Sequence, residues 1–487
     1  MTQRHLSTPA STPAAEPTVL FEAVHSLRKL TLNRPRVQNA LNEDMVNLIQ
    51  PQLQKWNESP LANVILLKGT GKSFCAGGDV KALVQQLDDK ATWHKSSEFF
   101  QKEYATDAYI AKMKKPVVAI MHGNTLGGGL GLSMHAPFRI ATETTQIAMP
   151  ETEIGLFPDV GANFFLSRLD GQLGVYLGLT GERVRGAGAL LSGFASHYVP
   201  AERLEALEIR LSELDQTASV EDVNAAIDEF AADAADLKAA LASYTLVGAK
   251  RRAIDVIFAS DNAEEIVDKL RKLEEGTLSL KKIVMKGEEL EGEALKAWAL
   301  ETREKLEKFS PTSVKLALQA IKEGKGLDIE EAFLVDMRLA TACCNPEVHP
   351  DFKTGVTSKL INKSADRPEW SPSTLSAVTS SSILKTFFSS PPPFKTPPIP
   401  SISFKVPGGP AYKSYPHARF SLPSEEEIRG FVTGEAKGSG DHALTRADLI
   451  NKVGTSRGGK VGVREKVDEV IRRRCIVQED GYLKWRY

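Results

Sequence analysis

Apolar residues recur with strand-like spacing at several places in the first half of the chain. The segments TVLFEAV and LRKLTLN alternate in polarity on either side of His25 and Ser26, a pattern that predicts a β-hairpin. Three continuous apolar runs follow, and each predicts a buried strand: NVILLKG, PVVAIMHG and TQIAMP. Segments of helical periodicity lie between these runs. The pattern therefore indicates an α/β core with parallel strands over residues 18–200.

The first helical segment is NEDMVNLIQPQLQKW. Met45 and Ile49 fall on one face there, and Asn42 stands at the position of an N-cap. Pro51 falls inside the segment and predicts a kink. Helical patterning dominates residues 201–370, for example in ERLEALEIRLSEL and IEEAFLVDMRLATAC. We expect this helical region to pack on the α/β core and complete the fold.

The composition changes after Trp370. Residues 371–410 are rich in Ser and Pro and predict a linker without a packed core. Residues 411–487 form a C-terminal extension with two candidate helices. Ser424 and Glu427 match the capping-box pattern at the start of one helix, and REKVDEVIRRRC is a short basic candidate for the other.

The part of the chain after Trp370 is basic, although the whole chain carries a formal net charge of −1. Residues 371–487 contain 18 Lys and Arg against 11 Asp and Glu, a net charge of +7, and residues 1–370 carry a net charge of −8. This balance gives no reason to expect a whole-molecule nucleic-acid binder. It indicates a basic appendage on a mildly acidic body.

Residues 1–17 contain Arg4, several Ser and Thr, and no acid before Glu16. Two interpretations stay open for them: a mitochondrial targeting segment, or a disordered one. No apolar run is long enough to cross a membrane. We expect no metal site, because no histidine has a partner at H-E-x-x-H spacing. The chain has four cysteines without zinc or redox spacing, which favours a reducing compartment.

Two glycine clusters each follow a predicted strand: TGKSFCAGGDV after NVILLKG, and NTLGGGLGLS after PVVAIMHG. Glycine lets the backbone approach a ligand closely, so two such loops can aim a pair of N–H donors at one oxygen, as an oxyanion hole does. The alternative is that these glycines serve only tight turns and helix–sheet packing. A dinucleotide-binding loop is disfavoured, because Leu132 breaks the G-x-G-x-x-G spacing.

Two carboxylates stand in an apolar setting in the segment MPETEIGLFPDVGANFF. Glu151 follows the strand TQIAMP, and Asp159 is flanked by Pro158 and Val160. Desolvation there would raise the carboxyl pKa toward neutrality, as a general base or acid requires. The alternative is that Asp159 or Glu153 caps the next helix and that Glu151 is exposed. Spacing alone favours this alternative.

The motifs FCAGGD, GNTLGGGLGLS, AMPETEIGLFPDVG and HPDFKTGV…KLINKSADRPEW together resemble the crotonase (enoyl-CoA hydratase/isomerase) superfamily. The resemblance covers about Thr18 to Trp370, with the motifs in the family's order and spacing. Within the superfamily, the chain is most similar to the 3-hydroxyisobutyryl-CoA hydrolases. The resemblance implies a crotonase-like spiral of ββα units followed by a helical C-terminal half.

The resemblance also implies roles for individual residues. The two oxyanion-hole donors of the family fall on the backbone N–H groups of Gly78 and Gly128, and its catalytic carboxylates fall on Glu151 and Asp159. A substrate-contacting glutamate falls on Glu103 of FFQKEY. Substrate binding is thus expected at Glu103, Gly128, Glu151 and Asp159.

One departure from the family pattern bears on the reaction. Crotonase hydratases carry two catalytic glutamates, the first lying three residues after the central glycine of the second loop. That position is Gly131 in this chain. The expected site therefore keeps the oxyanion hole but lacks the hydratase pair, which favours hydrolysis over the alternative of an enoyl-CoA hydratase or isomerase.

The implied reaction is hydrolysis of 3-hydroxyisobutyryl-CoA to 3-hydroxyisobutyrate and CoA, a step of valine breakdown in the mitochondrial matrix. Glu151 would either attack the thioester carbonyl or activate a water, and Asp159 would position the substrate hydroxyl and the water. No metal or redox cofactor is implied, since coenzyme A is part of the substrate. The oligomeric state stays open.

A second expectation comes from the extension. Family members of this kind are also components of the mitochondrial small ribosomal subunit. Arg472–Arg474 and the terminal segment YLKWRY could bind RNA phosphates or ribosomal proteins. The alternative is that the basic extension docks on the acidic body of the same chain.

Overall fold

The computed structural model describes residues 16–87, 92–279, 292–393, 399–404, 409–440 and 442–486. Most of residues 1–17, for which a targeting or a disordered segment was expected, and part of the proline-rich stretch lie outside these residues. The strands are β1 (Val19–Val24), β2 (Leu27–Leu32), β3 (Val64–Gly69), β4 (Ser73–Cys75), β5 (Val117–Met121), β6 (Asn124–Leu126), β7 (Phe138–Ala141), β8 (Gln146–Ala148), β9 (Val184–Arg185), β10 (His197–Tyr198), β11 (Cys475–Val477) and β12 (Leu483–Trp485).

Helices make up most of the remaining regular structure. They are α1 (Glu43–Glu58), α2 (Val80–Gln86), α3 (His94–Ala111), α4 (Gly128–Met134), α5 (Ala162–Leu166), α6 (Leu173–Thr180), α7 (Gly188–Leu191), α8 (Leu204–Ser212), α9 (Val220–Asp228), α10 (Ala234–Leu241), α11 (Gly248–Ile257), α12 (Ala263–Glu274), α13 (Gly292–Lys308), α14 (Pro311–Gly324), α15 (Ile329–Cys344), α16 (Asp351–Val356), α17 (Ser380–Ile383), α18 (Glu425–Thr433), α19 (Arg446–Ser456) and α20 (Val463–Arg474). None of these helices is both long and apolar enough to cross a bilayer.

The core consists of two sheets built from a repeated unit of two strands and a helical turn. The larger sheet has the order β1-β2-β3-β5-β7-β10, and the smaller has the order β4-β6-β8-β9. Each of β3, β5 and β7 is followed by a short strand of the smaller sheet and then by a helical turn. Because both sheets grow by parallel neighbours, the units stack as a spiral. The prediction of ββα units with a helical C-terminal half is confirmed.

Local signals at the start of the chain are also confirmed. The hairpin pairs β1 with β2 antiparallel, with Val24 opposite Leu27. The Asn42 side chain accepts a hydrogen bond of 3.0 Å from the Met45 N–H and so caps α1, which runs through Pro51. All four cysteines are free and buried.

The segment after Trp370 differs from its prediction. Val378, Ile383, Phe387 and Ile402 are buried in the main hydrophobic core. The Arg338 side chain donates to the Phe388 carbonyl at 3.0 Å, which fixes the segment on α15. The prediction of a linker without a packed core is therefore wrong for its described part. The apolar residues of SSILKTFF form α17 and the turn after it, and their burial outweighs the Ser/Pro composition.

The C-terminal extension docks on the body through apolar and charged contacts. Val463, Val467 and Val470 of α20 join the same core as the body helices. Arg473, whose side chain is 1% exposed, pairs with Asp255 of α11 at 3.2 Å. Burial alone would raise the pKa of Asp255, but Arg251, Arg473 and Arg474 together hold that pKa below its ordinary value.

This docking corrects part of the RNA-binding expectation. Of the triplet Arg472–Arg474, only Arg472 is exposed. Arg474 lies 3.0 Å from Asp255, so two of the three guanidinium groups already neutralise acids of the same chain. Lys466 likewise lies 2.6 Å from Asp170. The alternative of a basic extension docked on the acidic body is the arrangement found.

Candidate active site

The smaller sheet brings the chemistry-bearing loops together. Its strands β4, β6 and β8 are parallel neighbours in that order, so their carboxyl ends meet at one edge. The loop with Gly78 follows β4, Gly128 follows β6, and Glu151 follows β8. Since β6 is the middle strand, Gly128 lies between the other two loops.

The first expected donor, the Gly78 N–H, is free to point at a ligand. Gly78 forms a parallel bridge with Leu41. The bridge uses the Gly77 carbonyl, which accepts from Leu41 at 2.8 Å, and the Asp79 N–H, which donates to Leu41 at 2.7 Å. In such a bridge the N–H of the central residue faces the opposite side. Among the described residues, no hydrogen-bond partner occupies it.

The second donor lies beside the first. Gly128 is the first residue of α4, and its N–H also lacks a partner within the described part of the chain. A Cβ added to Gly77 would lie 3.8 Å from the Gly128 nitrogen, which places the two loops in direct contact. Gly127 has φ +46° and would place a Cβ 2.7 Å from Glu151 Oε1. Only glycine fits there, because the carboxylate already fills the space.

The two expected catalytic carboxylates are buried next to this pair. Glu151 opens a 3₁₀ turn after β8 and is 6% exposed, and its Oε2 has no hydrogen-bond partner among the described residues. Asp159 is 4% exposed and accepts a 2.7 Å hydrogen bond from the Tyr104 hydroxyl. Neither residue is the exposed or helix-capping acid of the alternative interpretation, since Gly161 stands at the N-cap of α5.

Glu103 completes the group. It lies on α3 and is 2% exposed, and nothing in the part of the chain that the structure describes hydrogen-bonds to its Oε1. A Cβ on Gly128 would lie 2.2 Å from this Oε1, so the carboxyl covers the Gly128 backbone directly. The structure thus brings Gly78, Gly128, Glu103, Glu151 and Asp159 to one place, while their individual roles stay predictions.

Burial sets the electrostatics of the site. Burial raises the pKa of Asp159 to about 6, against the opposing effect of the Tyr104 hydrogen bond. For Glu151 the pKa is raised well above its ordinary value, first by burial and then by the charge of Asp159. The pKa of Glu103 rises for the same two reasons. Burial thus favours the neutral form of all three carboxyl groups, and at Asp159 the Tyr104 hydrogen bond opposes this effect.

Comparisons with known proteins agree with this geometry. The family profile described as enoyl-CoA hydratase/isomerase matches residues 27–388. The chain belongs to the enoyl-CoA hydratase/isomerase family.

Curated relatives of this family member carry two kinds of name. The mitochondrial 3-hydroxyisobutyryl-CoA hydrolase of Danio rerio is 40% identical over 375 residues, covering 76% of this chain and 89% of that protein. The small ribosomal subunit protein mS47 of Neurospora crassa is 37% identical over 483 residues, covering 96% of this chain and 88% of that protein. The second match extends through the C-terminal extension.

A solved structure supports the same fold. The carnitinyl-CoA dehydratase of Mycobacterium thermoresistibile superposes with a TM-score of 0.63 at 28% identity, covering 80% of this chain and 99% of that chain. The extension beyond the family profile is therefore an addition to an otherwise complete enoyl-CoA hydratase/isomerase fold.

The position that bears the first glutamate in family hydratases is closed in this chain. A Cβ on Gly131 would lie 2.4 Å from Asp107 Oδ2 and 2.8 Å from the Val160 Cβ. No side chain fits there without moving α3 or the loop after Asp159. The absence of a glutamate at this position is thus built into the packing around it.

Three residues of the site were not found from the sequence. Tyr104 and Asp107 lie on α3 beside Glu103, and Asp336 on α15 accepts from the Gly161 N–H at 2.7 Å. The spacing of Glu103 and Asp107, four residues apart on one helix, was an available signal, since such residues share a face. Asp336 offered none, because its contact with Gly161 spans 175 residues.

Replacing Asp107 by asparagine should stabilise the protein. Both carboxyl oxygens are buried and find no hydrogen-bond partner within the described ranges. Burial, followed by the charge of Glu103, raises the pKa of Asp107 well above its ordinary value. The folded state therefore binds this proton more tightly than the unfolded chain, and stability is lost as the pH rises from the unfolded to the folded pKa. We expect Asp107→Asn to raise Tm by about 2 °C or more at pH 8, and by less at pH 5.

The matched control is Glu98→Gln on the same helix, whose side chain is 56% exposed. Its effect on Tm, measured by calorimetry at both pH values, should be close to zero. A loss of stability in Asp107→Asn at pH 8 would contradict the expectation.

Proposed function

We propose that the protein hydrolyses 3-hydroxyisobutyryl-CoA to 3-hydroxyisobutyrate and CoA, as a step of valine breakdown in the mitochondrial matrix. The observation that carries the proposal is the pair of N–H groups at Gly78 and Gly128, which no other described residue binds, beside the buried Glu151 and Asp159. The names of the relatives in animals support the substrate and the compartment. The closed position at Gly131 favours hydrolysis over hydration.

In the proposed reaction, the two N–H groups hold the thioester oxygen and stabilise the negative charge that develops on it. Removal of one such donor typically costs a factor on the order of 100 to 1000 in turnover. Ionised Glu151 accepts a proton from the attacking water as the new C–O bond forms. The tetrahedral intermediate then collapses, the C–S bond breaks, and the CoA thiolate takes the proton from Glu151.

Direct attack by Glu151 is the other route through the same groups. It would form an acyl anhydride with Glu151 and release CoA before water enters. Asp159, held by Tyr104, positions the substrate hydroxyl and the water in either route. Single turnover in ¹⁸O-labelled water separates the routes, because only the anhydride route places label from solvent in the Glu151 side chain. The proposal requires no metal or redox cofactor.

The proposal is tested by a thioesterase assay on the purified protein. We expect release of free thiol from 3-hydroxyisobutyryl-CoA, followed with a chromogenic thiol reagent. Because burial raises the pKa of Glu151 and the base must be ionised, kcat/KM should rise with pH on an acidic limb that lies above the usual glutamate range. Hydration of crotonyl-CoA without any hydrolysis would refute the proposal.

A second candidate function is association with the mitochondrial small ribosomal subunit. It is favoured by the match to the Neurospora crassa mS47 protein, which covers 96% of this chain and so includes the extension. The matches to the animal hydrolases cover 74–80% of this chain. Co-sedimentation of the protein with mitochondrial small subunits in a salt series tests this function, and sedimentation as a free protein at low salt would refute it.

A further inference from the structure

The C-terminal extension reaches the loop that carries Asp159. Tyr415 lies in the segment between the proline-rich stretch and α18, and its ring packs edge-on against Phe164 of α5, with centroids 5.1 Å apart. The Tyr415 hydroxyl lies 3.2 Å from Nδ1 of His135. Nε2 of the same imidazole lies 2.9 Å from the carbonyl oxygen of Val160, the residue that follows Asp159.

The direction of these hydrogen bonds is fixed by the acceptor at one end. A carbonyl oxygen can only accept, so the His135 Nε2 carries the hydrogen and donates to Val160. Burial lowers the pKa of His135 to about 4, so the ring is neutral near pH 7 and its Nδ1 is an acceptor. The Tyr415 O–H therefore donates to Nδ1. These two hydrogen bonds form one continuous chain, called the relay below, from Tyr415 of the extension through His135 to the Val160 carbonyl.

The loop needs this support because its backbone is strained. Val160 has φ +53°, a left-handed conformation that is unfavourable for a β-branched residue. Gly161 follows at φ +80°, where an added Cβ would lie 2.7 Å from the His135 ring. Strained backbone persists only where its surroundings hold it. Here the Val160 carbonyl is held by His135, and the Gly161 N–H by Asp336.

Tyr412 of the extension and Phe404, shortly before it, also hold the helix that carries Glu103 and Tyr104. The Tyr412 hydroxyl donates to the carbonyl of Ala111, the last residue of α3, at 3.3 Å. The Lys112 ammonium donates to the Phe404 carbonyl at 3.0 Å. Both elements that fix Asp159, the loop and the end of α3, are thus braced from outside the family profile, which ends at residue 388.

We propose that Tyr415 is a positioning residue of the active site, which acts through His135 and Val160 to hold the Asp159 carboxylate against the Tyr104 hydroxyl. The proposal rests on the proposed hydrolase function for its catalytic consequence. It assigns the C-terminal extension a part in catalysis itself, beyond any association with another macromolecule.

The test is Tyr415→Phe, which removes one oxygen atom and keeps the ring on Phe164. With 3-hydroxyisobutyryl-CoA as substrate we expect kcat to fall about tenfold and KM to change less than twofold, because the loss acts on the orientation of the catalytic groups. The matched control is Tyr482→Phe, at an exposed position of the same extension, which should leave both constants unchanged.

A double-mutant cycle with Tyr104→Phe separates positioning from a general effect on stability. If both hydroxyls act on Asp159, their effects on kcat should be far from multiplicative, whereas a merely structural Tyr415 would give independent effects. An unchanged kcat in Tyr415→Phe, or multiplicative effects in the cycle, would overturn the proposal.

A spectroscopic measurement tests the hydrogen bonds of the relay independently of the proposed reaction. The imidazole ¹⁵N signals of His135 report the hydrogen bond at Nδ1 whether or not the protein hydrolyses the substrate. We expect the Nδ1 signal to shift in Tyr415→Phe and not in Tyr482→Phe. A wild-type protein that is inactive on the substrate but shows this shift would refute the proposed function and leave the relay intact, while an unchanged signal would refute the relay.

Discussion

A protein cut after Trp370 should fail to fold into a stable enzyme. The cut removes Val378, Ile383, Phe387 and Ile402 from the main core, together with the apolar face of α20. Each large apolar side chain contributes about 1.5–3 kcal/mol when buried, so only a few of them equal the whole free energy of unfolding, about 5–15 kcal/mol, of a typical domain. The cut also leaves the buried Asp255 without Arg473 and Arg474.

The expected outcome is insoluble protein, or a Tm lowered by more than about 10 °C, measured by scanning fluorimetry. Co-expression of residues 371–487 as a separate chain is the control, because it restores the missing contacts without restoring the covalent link. Recovery of soluble, active protein would attribute the loss to those contacts. A soluble truncated protein that melts within a few degrees of the full chain would contradict the expectation.

Glu151→Gln should abolish most of the thioesterase activity while Glu153→Gln leaves it nearly unchanged. Both substitutions remove one charge from the same 3₁₀ turn, but Glu151 is buried beside Gly127 whereas Glu153 is exposed. Glutamine keeps the shape of the side chain and can neither accept the proton of water nor attack the thioester. A general base contributes about 100- to 10,000-fold, so we expect kcat to fall by at least 100-fold.

Stability distinguishes this loss from unfolding. Burial raises the pKa of Glu151, so the folded protein binds that proton more tightly than the unfolded chain and loses stability as the pH rises through the folded pKa. Glu151→Gln should therefore melt no lower than the wild type at pH 8. Equal losses of activity in the two variants, both folded, would show that the assignment of Glu151 is wrong.

Much of the fold and most of the candidate site were predictable because their signals are local. A strand such as β3 has its own apolar run, and the loops of Gly78, Gly128 and Glu151 each follow such a strand. Parallel order then brings the loops together without further information. The cap at Asn42 and the capping box at Ser424 each lie within four consecutive residues of the sequence.

The parts that the sequence did not predict depend on long-range packing. Composition made residues 371–410 look like a linker, although four apolar side chains find a place in the core of the body. The rotation of α20 about its axis, relative to α11, decides whether Arg472 or Arg473 faces solvent. No local sequence pattern predicts this rotation. Asp336 meets the loop after Asp159 only because α15 packs against α3 and α5.

The ion pairs of α20 set an order of events during synthesis. Asp170 and Asp255 belong to the body, yet their cationic partners include Lys466, Arg473 and Arg474 of α20, which are made much later. Chains fold from the N-terminus as they are made. Until α20 has left the exit tunnel, Asp170 therefore lacks Lys466, and Asp255 has Arg251 but neither Arg473 nor Arg474. Arrest of synthesis short of residue 466 should leave a species that chaperones bind.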